Sequence, residues 1–177
     1  MCLDYNVIGA DGAASLAPAL SRLSRLAELH LFENELGAAG AAALTPGIAL
    51  LTTLTLLELS YNGVGAGGAA SLAPALSRLS RLASLSLAQS GIGAAGAAAL
   101  APAICRLTAL ETLVLTYNSI GNDGLQQLAP VLARLTGLKE LCLEAHGADD
   151  SAVDAFRARL PASVLEATKL HFRVIAI

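Results

Sequence analysis

A right-handed α/β solenoid, a horseshoe segment with a parallel sheet on its concave face and helices on its convex face, is the fold this 177-residue chain predicts. Three observations carry the prediction. A Leu-x-x-Leu-x-Leu-x-x-[Asn/Ser/His] signature returns every 28 residues, its last position falling at Asn34, Asn62, Ser90, Asn118 and His146, with a truncated copy before them at Asn6. Within each interval the apolar spacing changes from two to a four-then-three stripe. The composition, 55% hydrophobic but only 3% aromatic, describes a core of Leu and Ala at repeating positions with little large-ring filling. A fixed period of this size marks units that bury one another's apolar faces, so a single domain is expected over 1–177. Its repeats end near 25, 53, 81, 109 and 137, and 138–177 form the last repeat and a C-terminal cap.

Each element has its own reason. Leu29 and Leu31 alternate with Glu28, His30 and Phe32, the period-two pattern of a short strand with the leucines turned inward. Leu44, Ile48 and Leu51 then trace one stripe of a helix. A strand that returns to its neighbour through a helix must pair with it in parallel. The Asn closing each strand belongs at a buried turn, because its amide both donates and accepts where backbone groups would go unpaired. Asn6, Asn34, Asn62 and Asn118 should therefore form a ladder, interrupted at Ser90 and His146.

The glycine pairs, such as Gly37 with Gly40 and Gly65 with Gly68, fit tight reversals and close backbone packing; phosphate binding is not the reading they favour. Pro18, Pro46, Pro74, Pro102 and Pro130 recur inside the helical segment, two residues after a core Leu. An interior proline removes a hydrogen bond, so a kink toward solvent is expected in preference to a late helix start, given the helix-forming Ala run before it. A longer rhythm lies over the first: Gly9–Leu31 and Gly65–Leu87 differ only at Asp11/Gly67, Glu28/Ser84 and His30/Ser86, which makes 56 residues the duplicated unit.

Composition narrows the function. A net charge of −3 and a pI near 5.5 argue against a nucleic-acid partner and permit a basic protein partner. Cys2, Cys105 and Cys142 are odd in number and fall at three different repeat positions, so reduced thiols in a cytoplasmic protein are expected, with neither a disulfide framework nor zinc-type spacing. The uncharged stretch Leu36–Leu57 is long enough to cross a bilayer, but Gly37, Gly40, Pro46, Gly47 and four threonines within it belong to the repeat, and no membrane association is expected. The first residues show no basic segment followed by an apolar core and a cleavage site, so secretion is not expected.

These residues resemble the leucine-rich repeat family, and the 28-residue length with its Gly-x-x-Gly and Leu-x-x-x-Leu helical half is similar to the ribonuclease-inhibitor-like class over roughly residues 1–143. The resemblance implies a horseshoe that holds a protein. Members of that class include ribonuclease inhibitors, sensor regions of NOD-like receptors and activators of the Ran GTPase. Cysteine is scarce here, unlike in vertebrate ribonuclease inhibitors, and the Leu-Ala-Pro-Ala-Leu helices look more like NOD-like receptor repeats or repeats from microbial eukaryotes. No Gly-x-x-x-x-Gly-Lys-[Ser/Thr] occurs, so the chain would at most be the sensing part of such a receptor.

Parallel strands about 4.8 Å apart align equivalent residues into columns. One column runs Glu28, Leu56, Ser84, Thr112, Glu140; a second Cys2, His30, Glu58, Ser86, Val114, Cys142; a third Asp4, Phe32, Ser60, Ala88, Thr116, Glu144. Beyond them, Tyr5, Glu33, Tyr61, Gln89, Tyr117 and Ala145 carry every tyrosine of the chain. Acidic residues Asp4, Glu28, Glu33, Glu58, Glu111, Glu140 and Glu144 lie in the strand segments, while Arg22, Arg25, Arg78, Arg81, Arg106 and Arg134 follow the helices. The concave side should be acidic and steer a basic partner. The expected contact residues are Glu28, His30, Phe32, Glu33, Glu58, Tyr61, Tyr117, Glu140 and Glu144, tyrosine being favoured in binding hot spots.

A catalytic reading of His30, Glu58 and Ser86 fails on order, because the histidine must lie between nucleophile and carboxylate. Cys142 with His171 is the other candidate pair, on an open sheet with neither a pocket nor an oxyanion hole. The expectation is a non-enzymatic module that binds a protein and implies no cofactor. A regulator of a ribonuclease or small GTPase, and a scaffold with no partner, stand as alternatives. The first copy begins in mid-strand without a polar cap, so a longer array or self-association through that end is expected. Asp149, Asp150 and Asp154 open a charged helix that reads as the C-terminal cap, with Leu170 and Phe172 on a last strand and Val174–Ile177 unexplained.

Overall fold

In the computed structural model, which describes residues 1–144 and 147–167, strand and helix alternate as the period requires. The helices are α1 (Gly9–Leu20), α2 (Gly37–Ile48), α3 (Gly65–Leu76), α4 (Gly93–Ile104), α5 (Gly121–Leu132), α6 (Asp150–Arg159) and α7 (Ala162–Ala167). The strands are β1 (Glu28–His30), β2 (Leu56–Glu58), β3 (Ser84–Ser86), β4 (Thr112–Val114) and β5 (Glu140–Cys142). They form one parallel sheet in the order β1-β2-β3-β4-β5. The register is one repeat throughout: Leu29 faces Leu57, Leu57 faces Leu85, Leu85 faces Leu113 and Leu113 faces Leu141. An isolated parallel bridge from Cys2 to His30 carries the pattern back to the truncated first copy.

Each three-residue strand turns its central Leu into the core. Leu29, Leu57, Leu85, Leu113 and Leu141 are fully buried, and one apolar cluster runs from Ala13 to Val164. Because a helix is about 10 Å across and strands stack about 4.8 Å apart, the helix layer occupies the longer arc and the sheet the inner face. Gly68 shows how the helices approach closely enough for this: a Cβ there would lie 3.1 Å from both Ala38 Cα and Ala41 Cβ of the preceding helix.

The asparagine ladder closes the strand ends. Asn62 donates through Nδ2 to the carbonyls of Leu31 (2.8 Å), Leu59 (3.0 Å) and Ser60 (3.1 Å), and its Oδ1 accepts the amide of Asn34 at 3.0 Å. Asn118 repeats the arrangement on Leu87, Leu115, Thr116 and the Ser90 amide. At the interruption, the Ser90 hydroxyl still donates to Leu59 O and Ala88 O, at 3.3 and 3.2 Å. His146, the second expected interruption, lies outside the described residues.

None of α1 to α5 has a side-chain N-cap bond. For α1 to α4 the next repeat substitutes for one: Gly9, Gly37, Gly65 and Gly93 donate their amides to the carbonyls of Asn34, Asn62, Ser90 and Asn118, at 2.8 to 2.9 Å. These helices begin at the glycine, so the prolines do not open them. They stand in the last turn, exposed, two residues before the C-terminus, as Pro18 does in Gly9–Leu20. There a missing amide removes a bond only from a carbonyl that faces water.

The acidic segment after β5 forms α6. Asp149 caps it by accepting the Ala152 amide at 2.7 Å, and Val153 and Phe156 are buried. The expected strand at Leu170 and Phe172 and the segment Val174–Ile177 lie outside the described residues. Among the described residues no helix is long and apolar enough to cross a membrane; Leu36–Leu57 is divided among α2, its flanking turns and β2.

Candidate functional site

The parallel register assembles the columns on the open side of the sheet: Glu28, Leu56, Ser84, Thr112 and Glu140 are successive neighbours, as are His30, Glu58, Ser86, Val114 and Cys142. The carboxylates differ in how free they are. Glu28 is exposed and lies 3.6 Å from His30 Nε2. Glu58 is half-buried and turned along its own strand, where Oε1 accepts the Ser60 amide at 2.7 Å. Asp4 does the same across a repeat, accepting the Phe32 amide at 2.8 Å. Glu140 is half-buried, with the Cys142 thiol 3.7 Å from Oε1.

One expected contact residue is displaced from that role. Glu144 is only 6% exposed, so it belongs to the wall of the repeat and offers little surface to a partner. The same crowding buries Ser60, Ser86 and Ala88 in the middle of the face.

The side chains at the strand's C-terminal end lie on the rim. Glu33, Tyr61, Gln89 and Tyr117 are exposed, and all of them, with Tyr5, hold left-handed backbone, φ from 46° to 61°. Phe32 joins this rim from the adjacent column. Its ring centroid is 5.1 Å from that of Tyr5 and 4.9 Å from that of Tyr61, tilted against both. Where Glu33 replaces tyrosine in the alternation, Phe32 fills the gap between the flanking rings. In the sequence columns Phe32 and Tyr61 stand apart, and Tyr5 lies outside the expected contact residues; the signal in the sequence is a Phe beside the Glu that interrupts the tyrosine alternation.

The basic residues stand at the other rim. Arg22, Arg25, Arg78, Arg81, Arg106 and Arg134 are exposed in the turns that follow helix C-termini, where a cation complements the negative end of the helix dipole. Glu111 belongs there too, paired with Lys139 at 2.8 Å, rather than on the acidic face.

The three residues of the catalytic reading are each engaged elsewhere: His30 with Glu28, Glu58 with the Ser60 amide, and Ser86 with the Ser60 hydroxyl at 2.6 Å. Burial, reinforced by the neighbouring Glu140 carboxylate, pushes the Cys142 thiol up and disfavours its thiolate. His171 lies outside the described residues. Among the described residues no group of His, Cys, Asp and Glu could hold a metal ion.

An open parallel sheet lined with columns of side chains and backed by helices defines an α/β repeat solenoid. A family profile described as "Leucine Rich repeat" matches residues 51–73 and 107–129. Among solved structures, "Leiomodin-1 Actin-Binding Site 2 (ABS2)" is similar with a TM-score of 0.60, at 16% identity over 84% of this chain and 87% of that one. Over those two repeats the chain is similar to the leucine-rich repeat family, and the solved neighbour shares its fold. No curated protein matches it.

Proposed function

We propose that this chain is a non-enzymatic protein-interaction module that holds a basic protein partner on its sheet face and the adjoining aromatic rim. The observation that supports this most is the separation of charge across one continuous surface. Glu28, Glu58 and Glu140 lie in the strands, Asp4 and Glu33 beside them, and the arginines stand on the opposite rim. Such a surface raises the encounter rate of a cationic partner and turns away an anionic one. His30, Phe32, Tyr61 and Tyr117 add contact area beside the carboxylates.

Affinity capture with wild type and a Glu28→Lys/Glu140→Lys variant tests the reading. This pair avoids Glu58, whose carboxylate holds a backbone amide. Wild type should retain basic proteins that elute as salt rises through a few hundred millimolar, and the variant should lose them. Retention of the same proteins by both would overturn it. The solved neighbour is named for actin binding, which makes co-sedimentation with actin filaments a direct second arm. A ribonuclease or GTPase assay on the captured complex separates a regulator from a passive binder.

A further inference from the structure

The rim aromatics form a more specific feature than the acidic face behind them. Tyr5 is 68% exposed and Tyr61 38%, with the half-buried Phe32 between them, so three rings run along the edge in two steps of 5.1 and 4.9 Å. Tyr5 and Tyr61 sit at φ +61° and +59°, a region in which a bulky residue costs about 1 kcal/mol or more relative to glycine. The exposed Glu33 stands between the two tyrosines in their own column, and the exposed Glu35 follows two residues later. No Lys or Arg occurs between Arg25 and Arg78, so no cation of these repeats competes for the rings.

We propose that the Tyr5–Phe32–Tyr61 ladder is an arginine-reading subsite that takes an extended segment bearing arginines at alternate positions. The proposal rests on the reading of the chain as a binder of basic proteins and names the chemistry recognised at one place on it. A guanidinium is planar and weakly hydrated, and it lies on a ring face within about 6 Å of the centroid while its fork reaches a carboxylate. Rings flanked by Glu33 meet both requirements. In an extended chain alternate side chains fall about 7 Å apart on one face, so two of them fit within the ladder's length. A nucleobase would also stack on rings, but its phosphates would face Glu33, Glu35 and Asp4 with no basic side chain beside them.

The chain has three tyrosines and no tryptophan, so its intrinsic emission reports largely on this ladder. The full chain is titrated with an alternating Gly-Arg peptide, its citrulline twin, an oligoproline and a cello-oligosaccharide. The arginine peptide should give a saturable change in tyrosine emission. Binding should weaken about tenfold in Phe32→Leu and in Tyr61→Ser, hold in Phe32→Tyr and in Gln127→Ala on the exposed face of α5, and be lost with citrulline. Equal binding of the citrulline twin, undiminished binding by Phe32→Leu, or saturation by oligoproline or saccharide in place of the arginine peptide overturns the proposal. Circular dichroism melts establish that each variant is folded. If the ladder variants change nothing while Glu28→Lys/Glu140→Lys abolishes capture of basic proteins, the ladder fails and the acidic face stands. If the ladder variants lose the peptide and the charge reversals leave protein capture intact, the face fails and the ladder stands.

Discussion

Three left-handed residues alternate in each of the turns that lead into α1 to α5, and glycine is distributed among them unevenly. The last of the three is always Gly, as at Gly65 with φ +63°. The middle one is Val7, Glu35, Gly63, Gly91 or Ser119, and the first is Tyr, Glu or Gln. A β-branched residue at φ +49° is the most strained of these. Val7 is 66% exposed, so little packing is lost with its side chain. Val7→Gly should raise stability by about 1 kcal/mol in urea denaturation, and Gly63→Val should lower it by about 1–2 kcal/mol, since open space surrounds Gly63 and only the backbone objects. Unchanged midpoints for both would remove the strain. The glycines of this turn announced themselves in the sequence; Tyr, Glu and Val at positive φ did not, because nothing in those side chains demands that conformation.

At the scale of the element, the asparagine ladder and the helix contacts do the stapling. Among the described residues, the step from the Asn62 amide to the next side chain is missing, because serine at 90 is too short to offer the carbonyl oxygen that Asn118 offers Ser90. Ser90→Asn should restore it and raise stability by about 1 kcal/mol, while Asn62→Ala, which orphans several buried groups, should cost about 2–4 kcal/mol in the same assay. Helix spacing is as narrowly set: a Cβ on Gly96 would meet Ala66 Cα and Ala69 Cβ at 3.2 Å, so Gly96→Ala should cost about 1–3 kcal/mol.

The cap of α6 adds a pH dependence. Accepting the Ala152 amide, and then a bond from Asn122, holds the Asp149 carboxyl below the usual carboxylate range. A depressed folded-state value contributes stability that is present above the unfolded-state value and is lost as pH falls through the folded one. Asp149→Ala should therefore reduce amide-exchange protection in α6 at pH 7, and the difference from wild type should shrink as the solution is taken into that acid range. A difference that persists there would assign the effect to packing.

Over the whole molecule, one core cluster joins the repeats from Ala13 to Val164, and each unit's apolar faces are covered by its neighbours. Leu85→Ala, at the centre of the sheet and fully buried, should lower stability by about 2–5 kcal/mol. The loss should spread to amide-exchange protection in the repeats on both sides, because a solenoid is held by nearest-neighbour interfaces. Protection lost in one repeat alone would contradict that coupling.

The layered architecture, the parallel register and the inward leucines could all be read from a period of 28, because backbone bonds in a stack run between equivalent residues and a translation along the chain becomes a translation in space. Departures from the period could not be read this way. Phe32 completes a ring ladder with residues 27 and 29 positions away, Glu58 turns back onto the Ser60 amide, Glu144 is enclosed, and the prolines sit harmlessly at helix ends facing water. Each depends on how much room a side chain finds among neighbours from several repeats at once, and that lateral room exists only after the units have stacked.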